Sequence, residues 1–248
     1  MTSLRFTVIA GLALTLSGMP SRAASSVDAY LTAVRDDPGR LEEFMAELPK
    51  GGDLHTHLSG AVPTGALIGL AAGDRLCIDT TTYVATSPPC GKGRRPAADA
   101  AEDGLFHDRV VRAWSMEGFS GPDVRADHDH FFATFAKFGR ATADRGAMLA
   151  VVASRAAAEH VSYLEPLIGR RVAPLNLAEI AWSDDFPAME RRIVGSGRFD
   201  HAVKATIAGM DRDFAEMRRR LRCGTVHADR GCQVSIRVDH QAHRVGPP

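Results

Sequence analysis

Apolar and polar positions along the chain alternate between helical and strand-like spacing. Over residues 26–48, apolar side chains recur at steps of three and four residues, which predicts an N-terminal helix ending at Pro49. A short segment over residues 51–58 precedes a second helical pattern over residues 61–72. A strand followed directly by a helix is the beginning of a βα unit.

Beyond residue 72 the pattern becomes irregular before regular elements return. Residues 73 to about 126 are rich in proline, glycine and small polar side chains, which predicts an insertion. Helical patterns resume at about residue 127 and continue over about 141–159, 177–195 and 199–221. Strand-like segments lie at residues 160–165 and 233–238. Strands separated by helices predict parallel pairing and an α/β fold.

The helical pattern that starts near residue 127 carries a cluster of phenylalanines. Its members, spaced at i, i+1, i+4 and i+7, are Phe131, Phe132, Phe135 and Phe138. This spacing is typical of a stripe that faces a hydrophobic core, and we take core packing as the prediction. The alternative is that the first three of these rings line a ligand pocket.

Composition and charge are those of an ordinary globular chain with one sizeable core. The 248 residues include 30 basic and 30 acidic side chains, so the formal net charge is zero. Binding to nucleic acid or to a membrane surface is not predicted, because either partner calls for a basic excess. The one arginine cluster, at residues 218–220 and 222, fits a solvated helical face.

The N-terminus has the features of an export signal. Arg5 precedes an apolar run over residues 6–16, and small residues follow up to residue 24. This order predicts a signal peptide over residues 1–24 and a secreted or periplasmic protein. The apolar run is shorter than the ~20 residues that a membrane-spanning helix needs, so no membrane span is predicted. The alternative is a buried N-terminal helix.

Export bears on the role of the four cysteines. Cys77 and Cys90 flank a proline-rich loop, and Cys223 and Cys232 flank a glycine-containing loop. In an oxidising compartment an even number of cysteines favours disulfides, and four cysteines allow three connectivities. Pairing within each loop is the simplest expectation. The spacing contains no C-x-x-C motif, so a thiolate zinc site is not predicted.

The candidate chemistry begins at His55 and His57. Because these residues are two apart on a predicted strand, their side chains point to the same face. Two imidazoles at the carboxyl end of a strand can share one divalent ion, and zinc accepts such nitrogen ligands. The alternative is a pair of polar residues at a strand end, one exposed and one hydrogen-bonded.

The residues around this pair resemble a known enzyme family. Residues 48–61, LPKGGDLHTHLSGA, are similar to the opening strand of the adenosine/AMP deaminase family, and look most like its secreted growth-factor-related subgroup. Further similar segments lie at residues 76–79, 88–90, 113–116, 128–135, 162–165 and 223–232. The resemblance therefore extends over about residues 40–240.

This resemblance implies a metal-dependent (β/α)8 TIM barrel that uses Zn2+ to hydrolyse the 6-amino group of adenosine or a related purine nucleoside. It implies that His55 and His57 are zinc ligands and that His57, Ser59 and Trp114 lie near the nucleoside. Ser59 stands where classical members have an acidic residue, so it would hydrogen-bond a ribose hydroxyl without charge.

Three other polar residues in the similar segments are not assigned to the zinc site. His128 and His130 correspond to structural residues at the start of a helix. Glu165, at the end of a predicted strand, either lines the pocket or pairs with an arginine.

Part of the family's site has no counterpart here. The family also uses a third zinc histidine, a zinc aspartate, a catalytic glutamate and a further supporting histidine from later strands. His240 and His243 follow the third predicted strand and do not supply that set, so no catalytic residue is assigned. We therefore expect the first three βα units of a barrel, as the N-terminal portion of a deaminase, with little or no deaminase activity.

The predicted organisation has three segments. The signal peptide over residues 1–24 is followed by a helical segment over residues 25–48 and a partial deaminase barrel over residues 49–248, with the insertion at about 73–126. Two alternative functions remain: another amidohydrolase-type metal hydrolase, and a non-catalytic secreted binding or dimerisation module. In the secreted branch of the family the N-terminal helix and the insertion are associated with dimerisation, so a homodimer is a further expectation.

Overall fold

The structure, a computed structural model, describes residues 22–169 and 183–241. The chain divides into two compact units, with the division between Leu48 and Pro49. In the described ranges no helix is both long enough and apolar enough to cross a membrane. The predicted signal peptide lies outside these ranges except for residues 22–24, which begin the first helix.

Two helices make up the described part of the first unit. Helix α1 spans Arg22–Val34 and α2 spans Pro38–Glu47. The prediction of one continuous helix is wrong, because Pro38 cannot extend α1 and instead occupies the first turn of α2. Asp37 caps α2 by accepting hydrogen bonds from the amides of Gly39 and Arg40.

The second unit begins with the predicted strand and helix. Strand β1 spans Gly51–His57, and the helices that follow are α3, Leu58–Ala61, and α4, Thr64–Gly73. The helix predicted over residues 61–72 corresponds to α4, which begins three residues later than predicted, with Pro63 at its N-cap. Proline at this point interrupts the backbone hydrogen-bond ladder of a helix.

The predicted insertion contains regular structure of its own. Strands β2, Cys77–Asp79, β3, Ala85–Thr86, and β4, Arg94–Pro96, form an antiparallel sheet in the order β3-β2-β4. A 3₁₀ turn over Ala97–Ala101 and helix α5, Gly104–Trp114, follow this sheet. A disulfide between Cys77 and Cys90 closes the loop after β2, which is the local pairing predicted.

The remaining elements alternate between helices and short strands. Helix α6 spans Val124–Phe138 and is followed by a 3₁₀ turn over Gly139–Thr142. Helix α7, Arg145–Ala158, then leads to the central strand β5, which spans Val161–Ile168. After the undescribed residues 170–182 come α8, Phe186–Gly195, α9, Arg198–Arg220, a 3₁₀ turn over Arg230–Gln233, β6, Ser235–Ile236, and β7, Asp239–His240. Of the strand predicted over residues 233–238, only Ser235–Ile236 is β-structure, and β7 lies just after the predicted range.

A parallel sheet organises the second unit. Strand β5 lies at its centre, with β1 on one side and β6 followed by β7 on the other. The register pairs Gly52 with Tyr163 and His57 with Leu167, and it pairs Leu167 with Asp239. The prediction of a mixed α/β fold with parallel strands is confirmed. The described strands form an open sheet and do not close a barrel.

Alternate residues of β5 attach this sheet to the helices. Leu164, Pro166 and Ile168 are buried, whereas the residues between them are half-buried. Helix α7 supplies much of the facing surface, with Leu149 and Ala153 almost inaccessible to solvent. Full burial of one leucine or isoleucine side chain contributes roughly 1.5–3 kcal/mol, so these layers hold the sheet in place.

The loop after α9 is fastened to α7. Cys223 and Cys232 form a second local disulfide, again as predicted. Asp229 in this loop accepts a hydrogen bond from the Ser154 hydroxyl at 3.0 Å. Gly231 lies so close to α7 that a Cβ atom there would be 2.7 Å from the Ser154 amide nitrogen. Two disulfides are consistent with an extracellular or otherwise oxidising compartment.

Candidate functional site

The two candidate zinc ligands lie at the carboxyl end of β1. His57 is the last residue of this strand, and both His55 and His57 are exposed. Their rings are edge-to-face with centroids 5.7 Å apart. The pairing of β1 with β5 shifts register between Asp53 and Thr56, so His55 lies within a bulge of the strand.

This arrangement fits two ligands of one ion. Two imidazoles on a tetrahedral zinc ion have ring centres ~5 Å apart, given zinc–nitrogen distances of ~2.0–2.1 Å, and the observed separation is similar. Over residues 22–169 and 183–241, no group of three or more His, Cys, Asp or Glu side chains could hold a metal. The described part of the chain therefore presents a pair of ligands and not a closed zinc site.

A cavity of about 570 Å³ lies beside His57. It is bordered by the carboxyl ends of β1 and β5, represented by His57 and by Leu167, Ile168 and Gly169. This volume is in the range of ~300–1,000 Å³ that is usual for small-molecule sites. In open parallel α/β sheets and in barrels alike, ligands bind at the carboxyl ends of the strands.

Aromatic rings form one wall of this cavity. Phe131, Phe132 and Phe135 line it, with centroid separations of 5.1 Å for the first pair and 5.3 Å between Phe131 and Phe135. Phe131 is 43% exposed and Phe132 is 58% exposed. The prediction that Phe131 and Phe132 pack in the core is wrong, because this face of α6 lies at the edge of the cavity. Phe135 is half-buried and packs against the core as predicted, although it also lines the cavity. Phe138, two turns later than Phe131, is buried as predicted.

Polar groups also border the cavity. Ser59 lines it from α3 and is half-buried. Arg145, the first residue of α7, also lines it, and its Nη2 donates a hydrogen bond to the carbonyl of Gly169 at 2.8 Å. Gln241 also lines this side, and its backbone N–H donates to the carbonyl of Ile168 at 3.2 Å. Sequence reasoning missed Arg145 and Gln241, since neither belongs to a recognisable motif.

The third residue that the resemblance implies for substrate binding lies elsewhere. Trp114 is 2% exposed, and its indole N–H donates to the carbonyl of Tyr83 at 2.7 Å. Its ring packs edge-on against Phe138 with centroids 6.4 Å apart. Trp114 borders a second, smaller cavity of about 220 Å³, which Ser59 also lines. The structure thus brings His57 and Ser59 together beside the larger cavity and leaves Trp114 in the core.

The other histidines in the similar segments have local partners. His130 Nε2 lies 2.9 Å from the carbonyl oxygen of Ser115, and its ring stacks on Phe119 with centroids 3.7 Å apart. His128 Nδ1 lies 3.0 Å from a carboxylate oxygen of Asp129. Both residues lie in the first half of α6 and make contacts of a structural kind.

Glu165 takes part in a hydrogen bond along β5. The hydroxyl of Tyr163 donates to Glu165 Oε1 at 2.5 Å, and this bond to the neighbouring carboxylate is the main reason why the pKa of Tyr163 is raised. Tyr163 and Glu165 are two apart, so they share the face of the sheet that carries Leu167 and its partner His57. The face of the sheet on the His57 side therefore carries a hydroxyl and a carboxylate near its centre.

Comparison with models of known protein families, with curated proteins and with solved structures gives no match.

Proposed function

We propose that this chain carries the metal- and nucleoside-binding part of a zinc-dependent purine-nucleoside deaminase. The observation that carries the proposal is the position of the His55–His57 pair at the carboxyl end of β1, beside a cavity of about 570 Å³ with an aromatic wall. The similarity of residues 48–61 to the opening strand of the adenosine/AMP deaminase family supports the same function.

Each group at this site has a proposed role. His55 and His57 hold the zinc ion through ring nitrogens. The rings of Phe131 and Phe132 take up the purine, because exposed aromatic faces stack on bases. Ser59 hydrogen-bonds a sugar hydroxyl at the same border. Zinc, when bound, supplies a Lewis acid that activates water for attack on the purine ring.

The metal half of the proposal is tested by zinc binding to the purified full chain. We expect the wild type to bind one zinc ion weakly, since only two ligands are assigned, and we expect His55→Ala and His57→Ala each to abolish that binding. His227→Ala is the matched control, because His227 is exposed in the loop after α9, far along the chain from β1. Equilibrium dialysis with metal analysis gives the readout. Equal zinc content in all four proteins would contradict the assignment.

The nucleoside half is tested by calorimetric titration with adenosine, with and without zinc. We expect binding that weakens when zinc is removed, together with little or no production of inosine by this 248-residue chain, since the resemblance assigns it no catalytic glutamate. Binding that is independent of zinc would favour the non-catalytic binding module. Hydrolysis of amides or esters without adenosine binding would favour another amidohydrolase-type enzyme.

A further inference from the structure

Glu165 lies on the central strand, directly across from the bulge that contains His55. The register between β1 and β5 shifts between Asp53 and Thr56, so that two residues of β1 face a single residue of β5. The two residues are Leu54 and His55, and the one that they face is Glu165. Neighbouring strands lie ~4.8 Å apart, so the Glu165 carboxylate is one strand spacing from the bulge.

His55 and Glu165 also point to the same side of the sheet. His57 is paired with Leu167, and His55 and Glu165 each lie two positions before one member of that pair. The edge-to-face contact between the rings of His55 and His57, with centroids 5.7 Å apart, places both rings on this side. Glu165 is therefore the carboxylate that faces His55 from the neighbouring strand.

The carboxylate of Glu165 is held in place by a neighbour on its own strand. Its Oε1 accepts the hydrogen bond from the hydroxyl of Tyr163 at 2.5 Å, and both side chains are half-buried. Over residues 22–169 and 183–241, Oε2 has no hydrogen-bond partner. An ionised carboxylate accepts on both oxygens, so Oε2 can take a second donor while Tyr163 keeps Oε1.

Asp53 is the other carboxylate close to His55, and it is less suited to hold the ring. Its Oδ1 accepts a hydrogen bond from the backbone N–H of His55 at 3.1 Å. Asp53 is paired with Leu164, whose buried side chain points to the helix-covered face of the sheet, and Asp53 itself is exposed. A half-buried acceptor forms the stronger hydrogen bond, because water competes less with it.

The chemistry of a histidine ligand calls for such an acceptor. A histidine that binds a metal through one ring nitrogen donates the other ring N–H to a carboxylate, a carbonyl or water, which fixes the orientation and the tautomer of the ring. In the described part of the chain the ring of His55 makes no hydrogen bond of its own. Glu165 is not a third ligand, since no three such side chains in the same ranges could share an ion.

We propose that Glu165, held by Tyr163, is a positioning residue that accepts a hydrogen bond from the ring N–H of His55 and orients this ring towards zinc. The proposal rests on the proposed function, because it takes His55 as a zinc ligand. It also decides between the two roles left open by the family resemblance, since Glu165 forms no ion pair with an arginine of the described ranges.

Titration of the full chain with Zn2+, followed by NMR of the imidazole nitrogens, tests the role of Glu165. We expect Glu165→Ala to raise the zinc dissociation constant by about 10- to 100-fold, which is the usual effect of removing such a partner. Tyr163→Phe should raise it by a smaller factor, because the carboxylate remains but loses the bond that holds it. Asp53→Asn is the matched control and should leave the constant nearly unchanged, since its side-chain oxygen still accepts from the His55 amide.

The same spectra separate positioning from a merely structural role. In the zinc-loaded wild type, the His55 nitrogen that does not bind zinc should carry a proton that exchanges slowly with water, because it is hydrogen-bonded. Glu165→Gln keeps the shape of the side chain and offers only a neutral acceptor. We expect faster exchange of this proton in Glu165→Gln and a zinc affinity between those of the wild type and Glu165→Ala. A structural role would leave Glu165→Gln equal to the wild type in both respects.

The outcomes distinguish this proposal from the proposed function. A wild type that binds no zinc would overturn both. Zinc binding that is lost in His55→Ala but unchanged in Glu165→Ala would overturn the positioning role alone, as would equal weakening by Asp53→Asn and Glu165→Ala. Circular dichroism establishes that each variant folds. If Glu165→Ala does not fold, unchanged zinc affinity in both Glu165→Gln and Tyr163→Phe would overturn the positioning role.

Discussion

The phenylalanines of α6 belong to one sequence pattern but to two environments. Phe131 and Phe132 line the cavity beside His57 and are substantially exposed, whereas Phe138 is 4% exposed and packs against Trp114. Spacing along a helix indicates which residues share a face. It does not indicate whether that face meets the core or the edge of a cavity, which depends on what lies opposite.

This difference leads to a paired prediction within a single helix. Phe132→Ala should change the free energy of unfolding by less than about 1 kcal/mol, because the side chain is mostly in solvent. It should weaken adenosine binding by about 2- to 13-fold if the ring stacks on the purine, corresponding to the ~0.5–1.5 kcal/mol of an aromatic pair. Phe138→Ala should cost about 3–5 kcal/mol of stability through the loss of a buried ring.

Denaturant unfolding and calorimetric titration measure the two quantities separately. Unchanged adenosine affinity in Phe132→Ala would rule out a stacking role for that ring. A small loss of stability in Phe138→Ala would contradict its place in the core.

At the scale of elements, prolines and aspartates set the helix boundaries. Pro38 divides a segment for which the apolar pattern alone predicts a single helix, and Pro63 moves the start of α4 to residue 64 from the predicted residue 61. Asp123 and Asp144 cap α6 and α7 by accepting hydrogen bonds from the amides of Ala126 and Ala147. These signals are present in the sequence because they act on the local backbone.

Packing between elements is set by small residues at points of contact. Gly146 on α7 lies against α9: a Cβ atom there would be 2.5 Å from Cβ and 2.6 Å from Cγ of Glu216, and 2.8 Å from the carbonyl oxygen of Asp213. At these distances a helix must move. The helical Gly69 in α4, by contrast, has no atom within 4 Å of its hypothetical Cβ.

The two glycines therefore predict opposite effects of the same substitution. Gly146→Ala should lower the free energy of unfolding by about 1–3 kcal/mol, because the added methyl group separates α7 from α9. Gly69→Ala should raise it by about 0.5–1 kcal/mol, because alanine is the better helix former at an exposed position. Chemical denaturation of both variants provides the measurement. Stabilisation by Gly146→Ala would show that the two helices separate without cost.

At the scale of the second unit, an ion-pair network joins the C-terminal end of α9 to the N-terminal end of α7. Glu216 accepts hydrogen bonds from Arg219 and Arg220, and Arg220 also donates to Asp144, the N-cap of α7, at 2.7 Å. These arginines, Arg219 foremost, lower the pKa of Glu216 from 4.5 to about 2. The network fastens the end of the long helix to the beginning of the shorter one.

The shifted pKa makes part of the stability depend on acidity. Because the pKa of Glu216 is lower in the folded state than in the unfolded chain, its contribution is present above pH 4.5 and decreases as the pH falls towards 2. Glu216→Gln should therefore lower the melting temperature at pH 7, and the difference from the wild type should shrink on acidification through this window. Calorimetric melting of both proteins at several pH values gives the comparison. A constant difference from pH 7 to pH 2 would contradict the role of the carboxylate.

The sequence by itself determined the features that depend on neighbouring residues. These include the βα start around His55 and His57, the parallel α/β class, and the local pairing of the four cysteines. Each follows from periodicity, a short loop or a local breaker, since these act through the backbone within a few residues.

Only the tertiary structure decided the features that join distant segments. It placed Arg145 and Gln241 at the same cavity as His57, buried Trp114 with its indole bonded to the carbonyl of Tyr83, and left Phe199, Val203 and Ile207 of α9 exposed. No local pattern fixes these positions, because each depends on which surfaces meet when the helices cover the sheet. The physical reason is that burial is a property of the packed layers and not of the segment that supplies the side chain.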